Sequence, residues 1–297
     1  MALQRRLLSR ISRLNRAFDL VRPGDRIMVA CSGGKDSWAM LHLLRDYARR
    51  LPFEVSLVAM TLDQGQPGFD VDRMRDHFAA EGFEHHIEFA DTYSVVLEQT
   101  PEGKTYCSRC SRMRRGILHR VAASLSANKI ALGHHRDDVI ETLLLNMMYA
   151  GRLRAMPPKL AAKDGGAAVI RPLAWCAETD LADYAAQCGV PILPCNLCGS
   201  QPDTRRKQVK ALLAELERDN PTLRESLLAA AGNVEPGQLF DLGLLARLAA
   251  NGSEDPTTDE DDRSGGCDLG ASLPSPSAAD PEQPHPRLRV LQDHRVP

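Results

Sequence analysis

The sequence predicts an α/β fold, a doubly wound and mostly parallel sheet of the kind that binds ligands at its strand ends, preceded by an N-terminal helical arm. Three observations carry that reading. Short apolar, β-branched runs alternate with amphipathic stretches of helical period along most of the chain. A glycine pair stands between the first such run and the helix that follows it. The 297 residues are 43% hydrophobic, with 37 basic against 39 acidic side chains, enough apolar material for one large core or two modest ones.

The elements follow in order. Leu3, Leu7, Ile11, Leu14 and Phe18 recur at helical spacing, with arginines between them, so residues 1–25 read as a basic helical arm. Residues 26–31 (RIMVAC) form the first strand, and a helix runs from about 36 to 50. Strands are expected at 54–62, 85–90, 129–133 and 168–173, with helices at 70–81, after Cys107, at 137–149, after Glu178 and at 205–216. Strands separated by helices require parallel pairing through right-handed crossovers. These segments make up a main domain over 26–250. From 251 the composition turns to Ser, Asp, Pro and Gly, with seven prolines in 47 residues, and 251–297 is expected to be a disordered acidic tail.

No stretch approaches the ~18 uninterrupted apolar residues of a spanning helix, and the arginine-rich start lacks the apolar core and cleavage site of a secretory signal. A cytoplasmic protein without a membrane partner is expected. The tail carries ten acidic residues against four arginines, which leaves 33 basic and 29 acidic residues on 1–250. The basic excess is clustered at Arg5, Arg6, Arg10, Arg13 and Arg16, at Arg109, Arg112, Arg114 and Arg115, and at Arg205, Arg206, Lys207 and Lys210. Three such patches fit a polyanion, although solvated helix faces often look the same.

The run Ser32-Gly33-Gly34-Lys35-Asp36-Ser37 sits where backbone N–H groups and a helix dipole favour phosphate. It is not a Walker A loop, which would need glycine at Val29 and Ser or Thr at Asp36. An ordinary capped helix start would explain a bare glycine pair, but not the whole hexapeptide. The run resembles the PP-loop of N-type ATP pyrophosphatases, which split ATP between its α- and β-phosphates. That resemblance implies that Lys35 and the Ser32, Gly33 and Gly34 backbone hold pyrophosphate, that Ser37 adds a hydroxyl, and that Asp36 partners Mg²⁺. Two more segments belong at the same sheet edge. In one, Asp63 suits a ribose or adenine contact. The other is Gly133-His134-His135-Arg136-Asp137-Asp138, where Gly133, His134, Asp137 and Asp138 are candidate nucleotide contacts and the histidines have a structural alternative.

Of eight cysteines, Cys107/Cys110 and Cys195/Cys198 form C-x-x-C pairs, the spacing that turns two thiolates toward one metal centre. The 84 residues between the pairs far exceed the 15–20 usual for a zinc ribbon, which disfavours a structural zinc site without excluding it. A thioredoxin-type dithiol fits less well, and an iron–sulfur cluster is the third possibility. Cys31, Cys176, Cys188 and Cys267 are read as non-ligands.

Four segments together, PEGKTYCSRCSRMRRGIL at 101–118, ALGHHRDD at 131–138, MPPKL at 156–160 and PCNLCGSQP at 194–202, closely resemble the tRNA 2-thiocytidine biosynthesis (TtcA) family over roughly 1–245. The resemblance implies ATP- and Mg²⁺-dependent thiolation of cytidine 32 in the tRNA anticodon loop, with a [4Fe-4S] cluster on three cysteines. Carried over, the ligands are Cys107, Cys110 and Cys198, with Cys195 the alternative to Cys198, and Lys35, Asp36 and these cysteines are the catalytic set. It further implies a sulfur donor such as a cysteine desulfurase persulfide, and a homodimer. One departure is Ala150-Gly151, where paired glycines would be expected. Rival readings are another PP-loop tRNA thiolase, making 2-thiouridine, and a zinc-stapled RNA-binding protein without catalysis.

Overall fold

The structure, a computed structural model, describes residues 2–100, 107–162, 165–193 and 205–250, and for 107–109 the backbone only. The expected tail and both Cys195 and Cys198 lie outside the described residues. Residues up to Val234 form one compact unit, and a second begins at Glu235. Within the second, a 3₁₀ turn at Pro236–Gln238 precedes a helix at Leu242–Ala250.

The first unit opens with α1 (Ala2–Phe18), whose Leu7, Leu8, Ile11 and Leu14 are buried as the apolar spacing requires. The sheet strands are β1 (Arg26–Ala30), β2 (Ser56–Asp63), β3 (His85–Phe89), β4 (Lys129–Ala131), β5 (Lys159–Leu160) and β6 (Ala168–Ile170). Their spatial order is β3-β2-β1-β4-β6-β5, parallel throughout except for the antiparallel edge pair β5 and β6. The mostly parallel sheet expected from the alternation of strands and helices is therefore present. β5 is a two-residue edge strand whose length gave no alternation to read.

Crossover helices α2 (Lys35–Ala48), α3 (Val71–Ala80), α5 (Cys107–Ser124), α6 (Arg136–Ala150) and α7 (Glu178–Gln187) match the expected segments within a few residues. So does α8 (Arg205–Asp219), whereas α4 (Thr92–Gln99) and α9 (Leu223–Ala230) are short additions with no strong period. α2 is buried nearly all round, from Ser37 to Tyr47, because it lies between the sheet and the α1 and α7 helices. Its Trp38 is 0% exposed and donates its indole N–H to the Pro191 carbonyl at 3.0 Å, so the largest core side chain has no unmet donor. On the opposite face, Met28, Val58, Met60 and Ile130 of the sheet meet Val121 and Ala122 of α5.

From β1 the chain goes on through α2 to β2 in one direction along the strand order, and from β4 through α6 to β5 and β6 in the other, with β1 and β4 adjacent. That is a topological switch point, where the two connecting loops diverge and leave a crevice at the carboxyl ends of the strands.

Candidate active site at the strand switch point

The loop after β1 is held open by its own atoms. The Ser32 N–H donates to Ser37 Oγ at 3.2 Å, and the Ser37 hydroxyl donates to the Gly34 carbonyl at 2.8 Å. Gly34 is the N-cap of α2 and offers no side-chain acceptor, so the first-turn amides face the crevice uncapped. Neither Ser32 nor Asp36 caps it. Gly33 has φ +81°, and a Cβ there would lie 3.0 Å from Leu193 Cβ, so both backbone and space require glycine. The Leu193 N–H donates to the Gly33 carbonyl at 2.9 Å.

Gly133 supplies the second close approach. A Cβ at this position would stand 3.3 Å from the Ser37 nitrogen and 3.4 Å from the Asp36 carbonyl group. A side chain here would push the first turn of α2 back by a few tenths of an ångström, so glycine gives the β4 loop its close approach. Beyond it, His135 caps α6 reciprocally: its Nδ1 accepts from the Asp138 N–H at 3.4 Å, and Asp138 Oδ2 accepts from the His135 N–H at 3.1 Å. The same His135 ring turns Nε2 toward Asp138, 3.4 Å away, and Asp36, 3.9 Å away, so the phosphate loop and the 133–138 segment meet.

Charge is dense in this crevice. Lys35 Nζ donates to Asp36 at 2.9 Å and to Glu178 at 3.1 Å. Burial opposes the Lys35 ammonium, but the two carboxylates outweigh it and raise its pKa. Glu178 also takes a 2.7 Å hydrogen bond from Lys210. Burial pushes its carboxyl upward, yet Lys210 and Lys35 overcome this and bring it to about 2. Asp137 is buried with both oxygens engaged, one by the Glu178 N–H at 2.8 Å and the other by Arg224 at 2.7 Å. Arg206 reaches Asp138 at 2.8 Å and the buried Glu141 at 3.3 Å, where burial lifts the Glu141 pKa. His134 is lowered to about 4, chiefly by burial and then by the Arg171 charge, so it is neutral at pH 7.

Glu178, Lys210, Arg206 and Arg224 join the site without having been singled out as ligand contacts. Glu178 opens α7 just beyond β6, a strand whose place beside β4 no local pattern reveals. Arg206 and Lys210 belong to a basic run that suggests an open polyanion surface, whereas here both are paired to carboxylates of the crevice. Asp63 stands at the end of β2 and accepts from the Gly65 N–H at 2.9 Å, beside the crevice rather than within the charge network.

The first C-x-x-C pair opens α5 on the same side of the sheet as the end of β2. Cys110 is buried, forms no disulfide, and donates weakly to Gln64 Oε1 at 3.6 Å. Gln64 follows Asp63 directly, so Cys110 stands at the strand-end edge. Cys31 and Cys176 are buried thiols, Cys176 pushed up to about 12 mainly by that burial. Cys188 is half-buried, and burial raises its pKa as well.

An uncapped helix start, a glycine-shaped loop and a lysine at the switch point of a parallel sheet define a nucleotide-binding α/β protein of the PP-loop class. A PP-loop domain model matches residues 4–192. A tRNA-cytidine(32) 2-sulfurtransferase of Anaeromyxobacter sp. (strain Fw109-5) is 52% identical over 266 residues, 89% of this chain and 88% of that protein. One from Sorangium cellulosum (strain So ce56) is 53% identical over 248 residues, 84% of this chain and 88% of that protein. The chain belongs to the tRNA-cytidine(32) 2-sulfurtransferase family. Among solved structures, the U34-tRNA thiolase NcsA from Methanococcus maripaludis with its [4Fe-4S] cluster superposes with a TM-score of 0.65 over 78% of this chain and 79% of that one. At 21% identity that likeness concerns the fold.

Proposed function

We propose that this protein is an ATP-dependent tRNA thiolase that replaces the C2 oxygen of cytidine 32 in the anticodon loop with sulfur. The observation that carries the reading is the Leu193 to Gly33 hydrogen bond. It ties the phosphate loop to the chain segment that leads, two residues later, into the Cys195/Cys198 pair. The second cysteine pair is therefore next along the chain to a residue bonded to the phosphate loop.

A ring carbonyl oxygen leaves poorly. Transfer of AMP to it breaks the bond between the α-phosphorus and the bridging oxygen, releases pyrophosphate, and makes AMP the leaving group when sulfur attacks C2. In this reading the α2 amides and Lys35 bind the departing pyrophosphate, with Ser32, Gly33, Gly34 and Ser37 forming the cradle. Asp36 and Asp138, both near His135 Nε2, are hard oxygen donors suited to Mg²⁺. Asp137 fixes α7 through the Glu178 amide, and His134 and Asp63 border the nucleoside end of the crevice.

Cys110 fits a cluster ligand because, among the described residues, its buried sulfur has one weak hydrogen bond to give up. We assign the three ligands to Cys107, Cys110 and Cys198, with Cys195 the alternative to Cys198. These three thiolates would hold a [4Fe-4S] cluster, which would supply chemistry for keeping sulfide away from water near C2; a persulfide donor such as a cysteine desulfurase would deliver sulfur at that level together with a two-electron reductant. The reading places the enzyme with tRNA in the cytoplasm, as a homodimer.

The test is nucleoside mass spectrometry of bulk tRNA from cells lacking this chain, complemented by wild type or by Cys107→Ala. Loss of 2-thiocytidine alone, restored only by wild type, is expected. Persistence of 2-thiocytidine with loss of another thionucleoside would move the substrate assignment to a different base. No change in any nucleoside would favour a non-catalytic RNA-binding protein.

A further inference from the structure

A second concavity, of about 820 Å³, opens beside the α6 N-terminus, between α1, the 154–158 segment and α9. Its walls combine two chemistries. Arg10, Arg13 and Arg154 supply positive charge, and Phe18, Met156 and Trp175 supply apolar surface. Phe18 is 42% exposed and meets Trp175 edge-on, ring centroids 6.1 Å apart, so one of the two rings keeps its faces uncovered by its partner. Arg10 braces this wall by donating to the Trp175 carbonyl at 3.1 Å.

The charge is not cancelled locally. Among the described residues Glu225 is the one acidic side chain lining the groove, and Arg136 engages it at 2.8 Å. Arg13 and Arg154 have no carboxylate partner among the described residues. An apolar protein surface would leave these guanidinium groups desolvated and unpaired. An unstacked RNA segment meets both demands, because any base offers a π-face to the aromatic rings and every nucleotide brings a phosphate.

Position supports the same occupant. Arg136 lines the groove while Asp137, the next residue, stands in the catalytic crevice, and consecutive Cα atoms lie about 3.8 Å apart. α9 repeats the arrangement, with Arg224 on Asp137 and Glu225 on Arg136. Groove and phosphate loop therefore flank one helix start.

We propose that this groove binds an unstacked stretch of the tRNA substrate, a base against Phe18 and Trp175 and phosphates on Arg13 and Arg154. The proposal rests on the thiolase reading for the identity of the RNA. The protein has two tryptophans, and Trp38 is 0% exposed, so emission quenched by added RNA reports on Trp175. The experiment titrates the full-length protein with an anticodon stem–loop RNA, following fluorescence and anisotropy at several salt concentrations, for wild type, Arg13→Glu/Arg154→Glu and Phe18→Ala.

Quenching in wild type is expected, with affinity falling roughly tenfold or more in the double variant and a shallower salt slope. Phe18→Ala is expected to weaken binding several-fold at an unchanged slope, and ATP binding should be the same in all three. These side chains are exposed, and Phe18→Ala remains informative if the charge reversals perturb folding. Wild-type stem–loop affinity in both variants overturns the groove, and leaves thiolation standing if 2-thiocytidine still forms. Absence of 2-thiocytidine alongside groove-dependent RNA binding removes the thiolase reading and keeps the groove.

Discussion

The Leu193 amide and the Gly33 carbonyl are joined by a 2.9 Å hydrogen bond, and a side chain on Gly33 would strike Leu193 at 3.0 Å. The phosphate loop is thus shaped partly by a residue 160 positions away in sequence. Gly33→Ala should be damaging twice over, through φ +81° and through this contact. A stability loss of about 1–2 kcal/mol is expected, with ATP affinity falling more than melting temperature suggests. Isothermal titration with ATP beside a thermal melt checks it, and unchanged affinity would show that the loop need not hold this shape.

Lys35 and Glu178 separate binding from turnover. Lys35→Ala removes the cation offered to the phosphates and should abolish detectable ATP binding. Glu178→Gln takes away a carboxylate that competes with phosphate for Lys35 and Lys210, so KM for ATP should hold or fall. kcat should drop about tenfold, roughly 1.4 kcal/mol, because Lys35 loses its tether. A rise in KM without loss of kcat would contradict this division.

The sulfur and nucleotide groups are distinct constellations. Cys110→Ala should eliminate thiolation and leave ATP binding within about twofold, since among the described residues the buried thiol makes only its long contact with Gln64. Anaerobic assays with purified tRNA, read by nucleoside mass spectrometry, decide it. Thiolation retained by this variant would remove Cys110 from the ligand set.

A histidine pair outside the site makes stability depend on pH. Arg45 can only donate, so His42 accepts at Nδ1 (3.2 Å) and carries its proton on Nε2, which donates to His77 Nε2 at 3.3 Å. Burial first, then the charges of Arg45 and His77, lower His42 to about 4, against partial relief from Glu81 and Asp46. The folded state thus resists protonation that the unfolded chain accepts below about 6.5. Stability should fall as pH drops from about 6.5 toward 4, by about 3 kcal/mol in total. Urea midpoints across that range, flatter in His42→Leu, provide the measurement.

Much of this is legible in the sequence, for identifiable reasons. The hexapeptide from Ser32 to Ser37 lies within a few residues of a strongly apolar strand, so its role is local and readable. α1 declared its buried face through Leu7, Ile11 and Leu14. What stayed hidden depends on the order of strands in space: β6 lies beside β4, which brings Glu178 to Lys35. α8 then folds back over α6, turning Arg206 and Lys210 from an apparent surface patch into counter-ions. The His135 cap was equally unreadable, because a histidine at a helix start has no distinctive spacing.

The strand order also has a consequence for biogenesis. β1 pairs with β2, about 30 residues on, and with β4, about 100 residues on. The acidic side of the crevice is balanced only when Arg206, Lys210 and Arg224 arrive. Such non-local pairing folds slowly, and a ribosome releases the needed residues last. The phosphate loop of a nascent chain would therefore stay incomplete until more than two-thirds of the polypeptide has emerged, and premature stops before α8 should yield chains that neither bind ATP nor compete for tRNA.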